Sequence, residues 1–329
     1  MDALTADTLG SGSTAIGLGT LAAQNFTTAT NTFNTAVGFQ AGNTVTTGTY
    51  NTLIGAQSGD ALTTGQENVA VGTATLAVDT QGRNSVAIGH SALESQNFTT
   101  ATASNNIAIG HNTGKSITTG LNNTLIGAGA GSSTNDMSGE TPLTTGTNNV
   151  LVGVKCQTGA ANADAQIAMG FECTGASNTS ITFGKAATDS NIDFGATSIT
   201  APSDERYKEN IQTSTAGLSF INDLRPVTFQ WKMEKDVPTN SRSYKSGSET
   251  RVMECGDKIM HGFIAQEVKA VIDNHSEIKD GFRMWSDTDN FDNRQRVAPG
   301  ELIPVLTKAV QELSTALDAA LARIETLEG

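Results

Sequence analysis

The sequence predicts an all-β repeat shaft, a parallel β-roll or triple β-helix, followed by an α+β domain that ends in a coiled coil. Three observations predict it. A short segment closing on glycine recurs through the first two hundred residues, most often at a step of 17. Basic residues are nearly absent from that part and concentrated after it. The last stretch carries apolar residues at alternating steps of four and three.

The repeat is visible as NTAVG ending at Gly38, NTLIG at Gly55, NVAVG at Gly72, SVAIG at Gly89 and NIAIG at Gly110. It continues as NTLIG at Gly127, NVLVG at Gly153 and QIAMG at Gly170, with STAIG at Gly17, SITFG at Gly184 and NIDFG at Gly195 as outer members. Longer steps carry insertions. Two of these contain QNFTTAT, beginning at Gln24 and Gln96, so a duplication 72 residues long overlies the short repeat. Each unit reads as one strand. The residue before the Gly is Val, Ile, Met or Phe, and the residue two earlier is Thr, Val or Ile. Period-two alternation puts these two columns on one face, and stacking of like units is expected to bury it. Eleven rungs at roughly 4.8 Å predict a shaft on the order of 50 Å.

Asn34, Asn51, Asn68, Asn106, Asn123 and Asn149 stand four before their glycines, with Gln166 close in kind. So regular an offset predicts amides bonded from rung to rung, against the alternative that Asn merely favours turns. Turns such as Thr46-Thr47-Gly48 precede the strand at a fixed distance. His90 and His111 both follow their repeat Gly and are expected to stack, as ordinary surface residues rather than a metal site. Cys156 and Cys173 lie three after theirs and are expected to be neighbours and free thiols. With Cys255 they match neither a disulfide framework nor a zinc site, and neither metal nor cofactor is expected.

Composition excludes several classes. The chain has 329 residues and a net charge of −13, against a nucleic-acid binder or a protein docked on anionic lipid. No apolar run is long enough to insert in a membrane. The opening MDALTADTLG lacks the parts of a secretory signal, which predicts synthesis in a cytosol. Before Ser203 only Arg83, Lys115, Lys155 and Lys185 are basic, out of 20 Lys and Arg in all.

In the second part, residues 215–224 have helical spacing and stop before Pro226. PVTFQW, 226–231, reads as a strand. Residues 233–260 are polar, with Pro238, Gly247 and Gly256, and read as an extended hairpin or arm. HGFIAQEVKAVI, 261–272, is a strand or turn entering a helix. Leu306, Val310, Leu313, Leu317, Ala320, Ile324 and Leu327 form an a/d seam, a stripe narrow enough to require partner helices. With a repeat shaft upstream, three strands are expected.

Two resemblances rest on these motifs. The NSVAIG wording resembles the head repeats of trimeric autotransporter adhesins, a left-handed parallel β-roll built as a homotrimer. Its longer form with TTG turns looks like repeats of bacteriophage tail-fibre proteins. From Ser203 onward, SDERYKENI, GLSFINDLRPVTFQW, HGFIAQEV and ELIPVLTKAVQEL follow in the order found in the self-cleaving intramolecular chaperone of phage endosialidases and tail fibres. That resemblance implies a homotrimeric domain that templates folding of the fibre ahead of it, then cuts itself away with a Ser–Lys dyad. Carried onto this chain, Ser203 is the nucleophile, Lys208 its base and Pro202–Ser203 the cut bond. Asp204, Arg206 and Asn210 are supporting residues, and Tyr207 departs from the aliphatic residue usual there. The implied organisation is an N-terminal segment 1–12, a repeat region 13–198, a linker 199–202 and a chaperone domain 203–329, with the coiled coil over about 303–328. A virion location is implied, with other tail proteins and a host receptor, a glycan among the candidates, as partners.

Elementary chemistry constrains the dyad. A lysine acts as a base only when its pKa falls from about 10.4 towards 7–8, usually by burial. Arg206 favours that shift, whereas Asp204, Glu205 and Glu209 oppose it. Residues five apart lie on opposite faces of a strand, and well apart around a helix. A folded environment must therefore assemble the pair, and otherwise Ser203 simply caps a short helix. His261 is expected to serve the fold rather than catalysis. Self-cleavage alone is expected, without turnover on an external substrate. The alternatives are a polysaccharide-degrading tailspike, for which no convincing carboxylate pair is present, and a bacterial trimeric adhesin, for which a secretion signal and a membrane-anchoring barrel would be expected.

Overall fold

The protein is described by a computed structural model over residues 2–132, 141–253, 256–287 and 294–328, so Cys255 lies outside the described residues. The chain divides into two compact units, 1–207 and 208–329.

The first unit is a β-solenoid. Its rung strands are β1 Thr14–Ile16, β2 Thr35–Val37, β3 Thr52–Ile54, β4 Val69–Val71, β5 Val86–Ile88, β6 Ile107–Ile109, β7 Thr124–Ile126, β8 Val150–Val152, β9 Gln166–Phe171 and β10 Ser180–Lys185, with β11 Ser190–Asp193 closing the series. These eleven strands form one sheet in chain order. Pairing is parallel and in register from β1 to β10, as in Thr52↔Val69, Leu53↔Ala70 and Ile54↔Val71. Only β11 runs antiparallel, against β10.

The facing of the strands corrects one expectation. The columns before the glycine do share a face, but within the chain that face points outward. Ile109 is 37 % exposed and Ile126 40 %. The interior is lined by the residue between the columns: Ala36, Leu53, Ala70, Ala87, Ala108, Leu125, Leu151 and Ala168, all buried. Leu62, Leu76, Leu93, Ile117 and Leu143, from the far side of each coil, complete this core. Volume explains the choice. A coil closed by one chain is narrow, so small side chains or a single Leu fill it, while branched Val and Ile are left outside. Where a rung carries Leu, the facing corner is glycine: a Cβ on Gly59 would lie 2.8 Å from Leu53 Cδ2.

The repeat glycine is required twice over. Gly55 has φ +131°, and a Cβ there would sit 2.4 Å from the carbonyl oxygen of Gly72 in the next rung.

The amide ladder forms and does more than expected. Asn51 N–H donates to Asn34 Oδ1 at 2.9 Å, Asn68 N–H to Asn51 Oδ1 at 3.1 Å, and Gln166 N–H to Asn149 Oδ1 at 3.0 Å. Each Nδ2 also donates to a carbonyl in the turn that leads into the next rung: Asn34 to Gly48 at 2.8 Å and Asn51 to Gly65 at 2.9 Å, each 14 positions on, and Asn123 to Gly146 at 2.9 Å, 23 positions on, across an insertion. The Asn therefore satisfies both the ladder residue of the next rung and the turn that leads into it, which fixes both the offset and the residue type.

Where an insertion interrupts the ladder, a second buried network replaces it, and it obeys the 72-residue duplication. Gln96 Oε1 accepts from Asn106 Nδ2 at 2.8 Å, and Gln24 Oε1 from Asn34 Nδ2 at 2.8 Å. Gln96 Nε2 donates to Asp79 Oδ2 at 2.6 Å, and Gln24 Nε2 to Asp7 Oδ2 at 2.5 Å. Burial raises the Asp79 carboxyl above the usual range, and hydrogen bonds from Gln96, Phe98, Gly82 and Thr80 pull it back. His90 and His111 stack, with ring centroids 5.3 Å apart. Cys156 and Cys173 are buried free thiols.

In the second unit, α1 Leu218–Asp223 is shorter than the pattern predicts because Gly217, at φ −152° and ψ −126°, is outside the helix. Strand β12 Val227–Phe229 pairs antiparallel with β13 Met260–Gly262. The polar segment between them is mostly irregular, held by a Met233↔Arg251 bridge, by Lys245–Glu234 at 2.9 Å and by Arg251–Asp257 at 2.6 Å. Helix α2 Ala265–Asn274 follows, then the pair β14 Trp285–Ser286 and β15 Arg296–Val297, then α3 Leu302–Glu328. The core is built around Phe220, with Leu224, Val268, Ile272, Met284, Leu302 and Val305. Among the described residues no helix is long and apolar enough to cross a membrane.

Candidate cleavage site and the unit behind it

The chain from Asp193 to Ser203 is exposed throughout, and Pro202–Ser203 lies in its non-regular part. Beyond it, one turn of 3-10 helix spans Glu205–Tyr207. The cap of that turn is Asp204, not Ser203. Asp204 Oδ1 accepts from Arg206 N–H at 2.9 Å, and its carbonyl accepts from Tyr207 N–H at 3.1 Å. The same carboxylate takes the Arg206 side chain, Nε at 3.0 Å to Oδ2 and Nη2 at 2.5 Å. The Arg206 guanidinium thus holds the Asp204 carboxyl below the usual carboxylate range. This leaves Ser203 outside the turn, next to the bond it is expected to cut.

Ser203 is exposed in the first unit, and Lys208 is the exposed first residue of the second. Asn210 is exposed with φ +54°, a left-handed conformation that Asn tolerates better than most residues. His261 is an exposed residue of β13, paired with Thr228.

The motifs downstream of the serine lock onto one another. Glu312, from ELIPVLTKAVQEL, accepts the Leu218 N–H of GLSFINDLRP at 2.8 Å, and a Cβ on Gly217 would sit 2.6 Å from that carboxylate. Gly217 is there because Glu312 caps α1 from another helix. Arg225 pairs with Glu267 of HGFIAQEV, Nε to Oε2 at 3.0 Å. PVTFQW and HGF are joined as β12 and β13.

One buried polar centre escaped the sequence reading. His275, the C-cap of α2, is 8 % exposed and bonds through Nδ1 to Glu277 and through Nε2 to Asp223, both at 2.9 Å. Its ring meets Phe220 edge-on, centroids 5.3 Å apart. The carboxylates of Glu277 and Asp223 raise its pKa above the ordinary histidine value. Glu277 is two residues away, but Asp223 comes from α1, 52 positions earlier, and no local motif marks that pairing.

Helix α3 has two faces with different fates. Leu302, Val305 and Ala309 are buried in the unit. The seam residues Leu306, Val310, Leu313, Leu317, Ala320, Ile324 and Leu327 are exposed, Leu313 at 51 %. Among the described residues no cluster of His, Cys, Asp and Glu is arranged to hold a metal.

Residues 203–277 match the family model described as the chaperone of endosialidase. No curated protein and no solved structure is similar to the chain. The matched segment begins at Ser203 and contains α1, β12, β13, α2 and His275. It supports a tail-fibre or tailspike type of phage protein with intramolecular chaperone activity, and the solenoid ahead of it is consistent with a tail-fibre-like shaft.

Proposed function

We propose that the chain is a homotrimeric fibre or appendage of a phage virion. Its residues 203–329 align three copies, drive folding of the shaft, and then release themselves by cutting Pro202–Ser203. The observation that carries this reading is the family match beginning at Ser203 itself, directly after an exposed linker. The outward apolar columns of the solenoid and the exposed seam of α3 support three chains, since each is apolar surface that a single copy leaves in water. The released shaft binds a receptor on the host surface, alongside other tail proteins.

In the proposed cleavage, neutral Lys208 takes the proton of Ser203 Oγ, and Oγ attacks the carbonyl carbon of Pro202. The C–N bond breaks as the proton passes to the Ser203 nitrogen, leaving an ester that water hydrolyses. Ser203 and Lys208 are exposed in the single chain, so the desolvation that a lysine base needs comes with assembly. Cutting then reports a completed trimer.

The test is expression of the full chain beside residues 1–202 alone. The full chain should give two fragments, the smaller starting at Ser203. The truncated chain should fail to give soluble trimers, because parallel in-register rungs slip without an alignment device. Heat-resistant trimers from 1–202 alone would overturn the chaperone role.

A further inference from the structure

Each coil carries a buried residue three positions after its repeat glycine. The column runs through Thr20, Ala41, Ser58 and Thr75, and ends with Cys156 and Cys173, every one of these fully buried. It admits only small side chains and places them directly over one another. Its spacing is shown where two hydroxyls are adjacent: Ser58 Oγ and Thr75 Oγ1 lie 3.0 Å apart. Cys156 and Cys173 occupy the same two-coil relationship. The rungs before them pair Val152↔Met169, and the residues after them form the parallel bridge Gln157↔Thr174. Neighbouring rungs are about 4.8 Å apart, within the range of about 4.4–6.8 Å that a disulfide spans between Cα atoms.

We propose that Cys156 and Cys173 are a modification site, a thiol pair that peroxide converts to a disulfide joining two successive coils of the folded shaft. This inference stands on the solenoid alone and is independent of the cleavage reading.

The chemistry balances. Cys156 thiolate attacks one oxygen of hydrogen peroxide, giving a sulfenic acid and hydroxide. The Cys173 thiol then attacks that sulfur, its proton leaving with the sulfenic oxygen as water. Two thiols and one peroxide become one disulfide and two waters. Roles follow from the surroundings. The neighbouring Cys173 side chain lowers the Cys156 thiol to about 7, and Cys156 in turn raises that of Cys173, so Cys156 attacks first and Cys173 resolves. Both side chains are shielded from solvent, which excludes bulky disulfides and favours an oxidant little larger than water.

Trypsin supplies a direct readout. Cleavage after Lys155 and Lys185 leaves both cysteines in one peptide, 156–185, whereas Cys255 falls in another. The folded full chain is treated with dilute hydrogen peroxide, denatured in an alkylating reagent, digested and weighed. The expected product is peptide 156–185 lighter by two hydrogens and carrying no alkyl group. In Cys173→Ser, which keeps a small residue as at Ser58, the peptide should instead trap as a dimedone adduct at Cys156. Two alkylated thiols, two separately oxidised cysteines, or a bridge to the Cys255 peptide would each overturn the proposal. So would a cross-link that appears only when peroxide is added after denaturation.

Discussion

Glu312 and Leu218 are 94 positions apart in the chain and 2.8 Å apart in space, the carboxylate accepting the first free N–H of α1. Helix α1 has no capping side chain of its own. Its N-terminus depends on a residue from the helix that also carries the exposed seam. Glu312→Ala should therefore cost about 1–2 kcal/mol in the second unit, with Glu312→Gln recovering part of it. Urea denaturation followed by tryptophan fluorescence, which reports Trp231 and Trp285, would measure this. Equal stability of all three chains would rule out the cap.

The dyad makes a sharper prediction. Ser203→Ala and Lys208→Ala should each leave a full-length chain on a denaturing gel, still assembled as a trimer. Wild type should give a fragment whose N-terminal residue is Ser203. Unchanged cutting in Ser203→Ala would return that residue to an ordinary linker.

Asn68→Ala should weaken the shaft by roughly 2–6 kcal/mol. It strands the Ser85 N–H and the Gly82 carbonyl, each bonded to Asn68 at 3.0 and 2.9 Å, at about 1–3 kcal/mol per buried group. Faster unfolding at fixed denaturant is the measurement. Exposed Thr73→Ala, at an ordinary backbone conformation, is the control and should change little.

Charge placed on the outward columns should separate folding from assembly. Ile109→Asp with Ile126→Asp alters side chains that point away from the coil interior, so circular dichroism should keep its β signal. For the shaft fragment freed of residues 203–329 and their seam, light scattering should fall from a trimer to a monomer. A trimer that survives both changes would move the contact to another face.

His275 links stability to pH. Its folded pKa is raised above 6.5 by Glu277 and Asp223, so the folded state holds the proton more tightly than the unfolded one. The contribution is complete below pH 6.5 and is lost as pH climbs through the higher folded value. The second unit should weaken over that window, and His275→Ala should flatten the dependence. A stability that rises across the same window would contradict the assignment.

Much of this fold was legible because it repeats. One misplaced rung is outvoted by ten others, so the glycine corners, the Asn column and the stacking of His90 on His111 could be expected from spacing alone. Facing was harder. Ile109 and Ala108 both suit a buried strand, and only the width of a closed coil decides that Ala goes in. Asp79 and Gln96 were hidden for another reason: the 72-residue duplication was visible in QNFTTAT, but nothing local ties that insertion to an aspartate upstream. His275 was illegible because, although Glu277 is two residues away, Asp223 reaches it from α1 and the burial comes from packing on Phe220. For the proposed dyad, sequence supplies identity and order, whereas the burial it would require is absent from the single chain, where Ser203 and Lys208 are both exposed.

Strand β11 turns back against β10 by pairing Ser180↔Asp193 and Phe183↔Ser190, and Thr200 then bridges to Asn191 in both directions at 2.7 and 2.8 Å. A stack of parallel rungs otherwise ends in a row of unsatisfied N–H and C=O groups, onto which another stack can grow. The reversal at residues 190–193 and the bridge at Thr200 cover that row ahead of the proposed cleavage bond. Whatever is severed at Ser203, the end left behind is already terminated. Particles carrying such shafts would stay countable objects instead of joining end to end into threads.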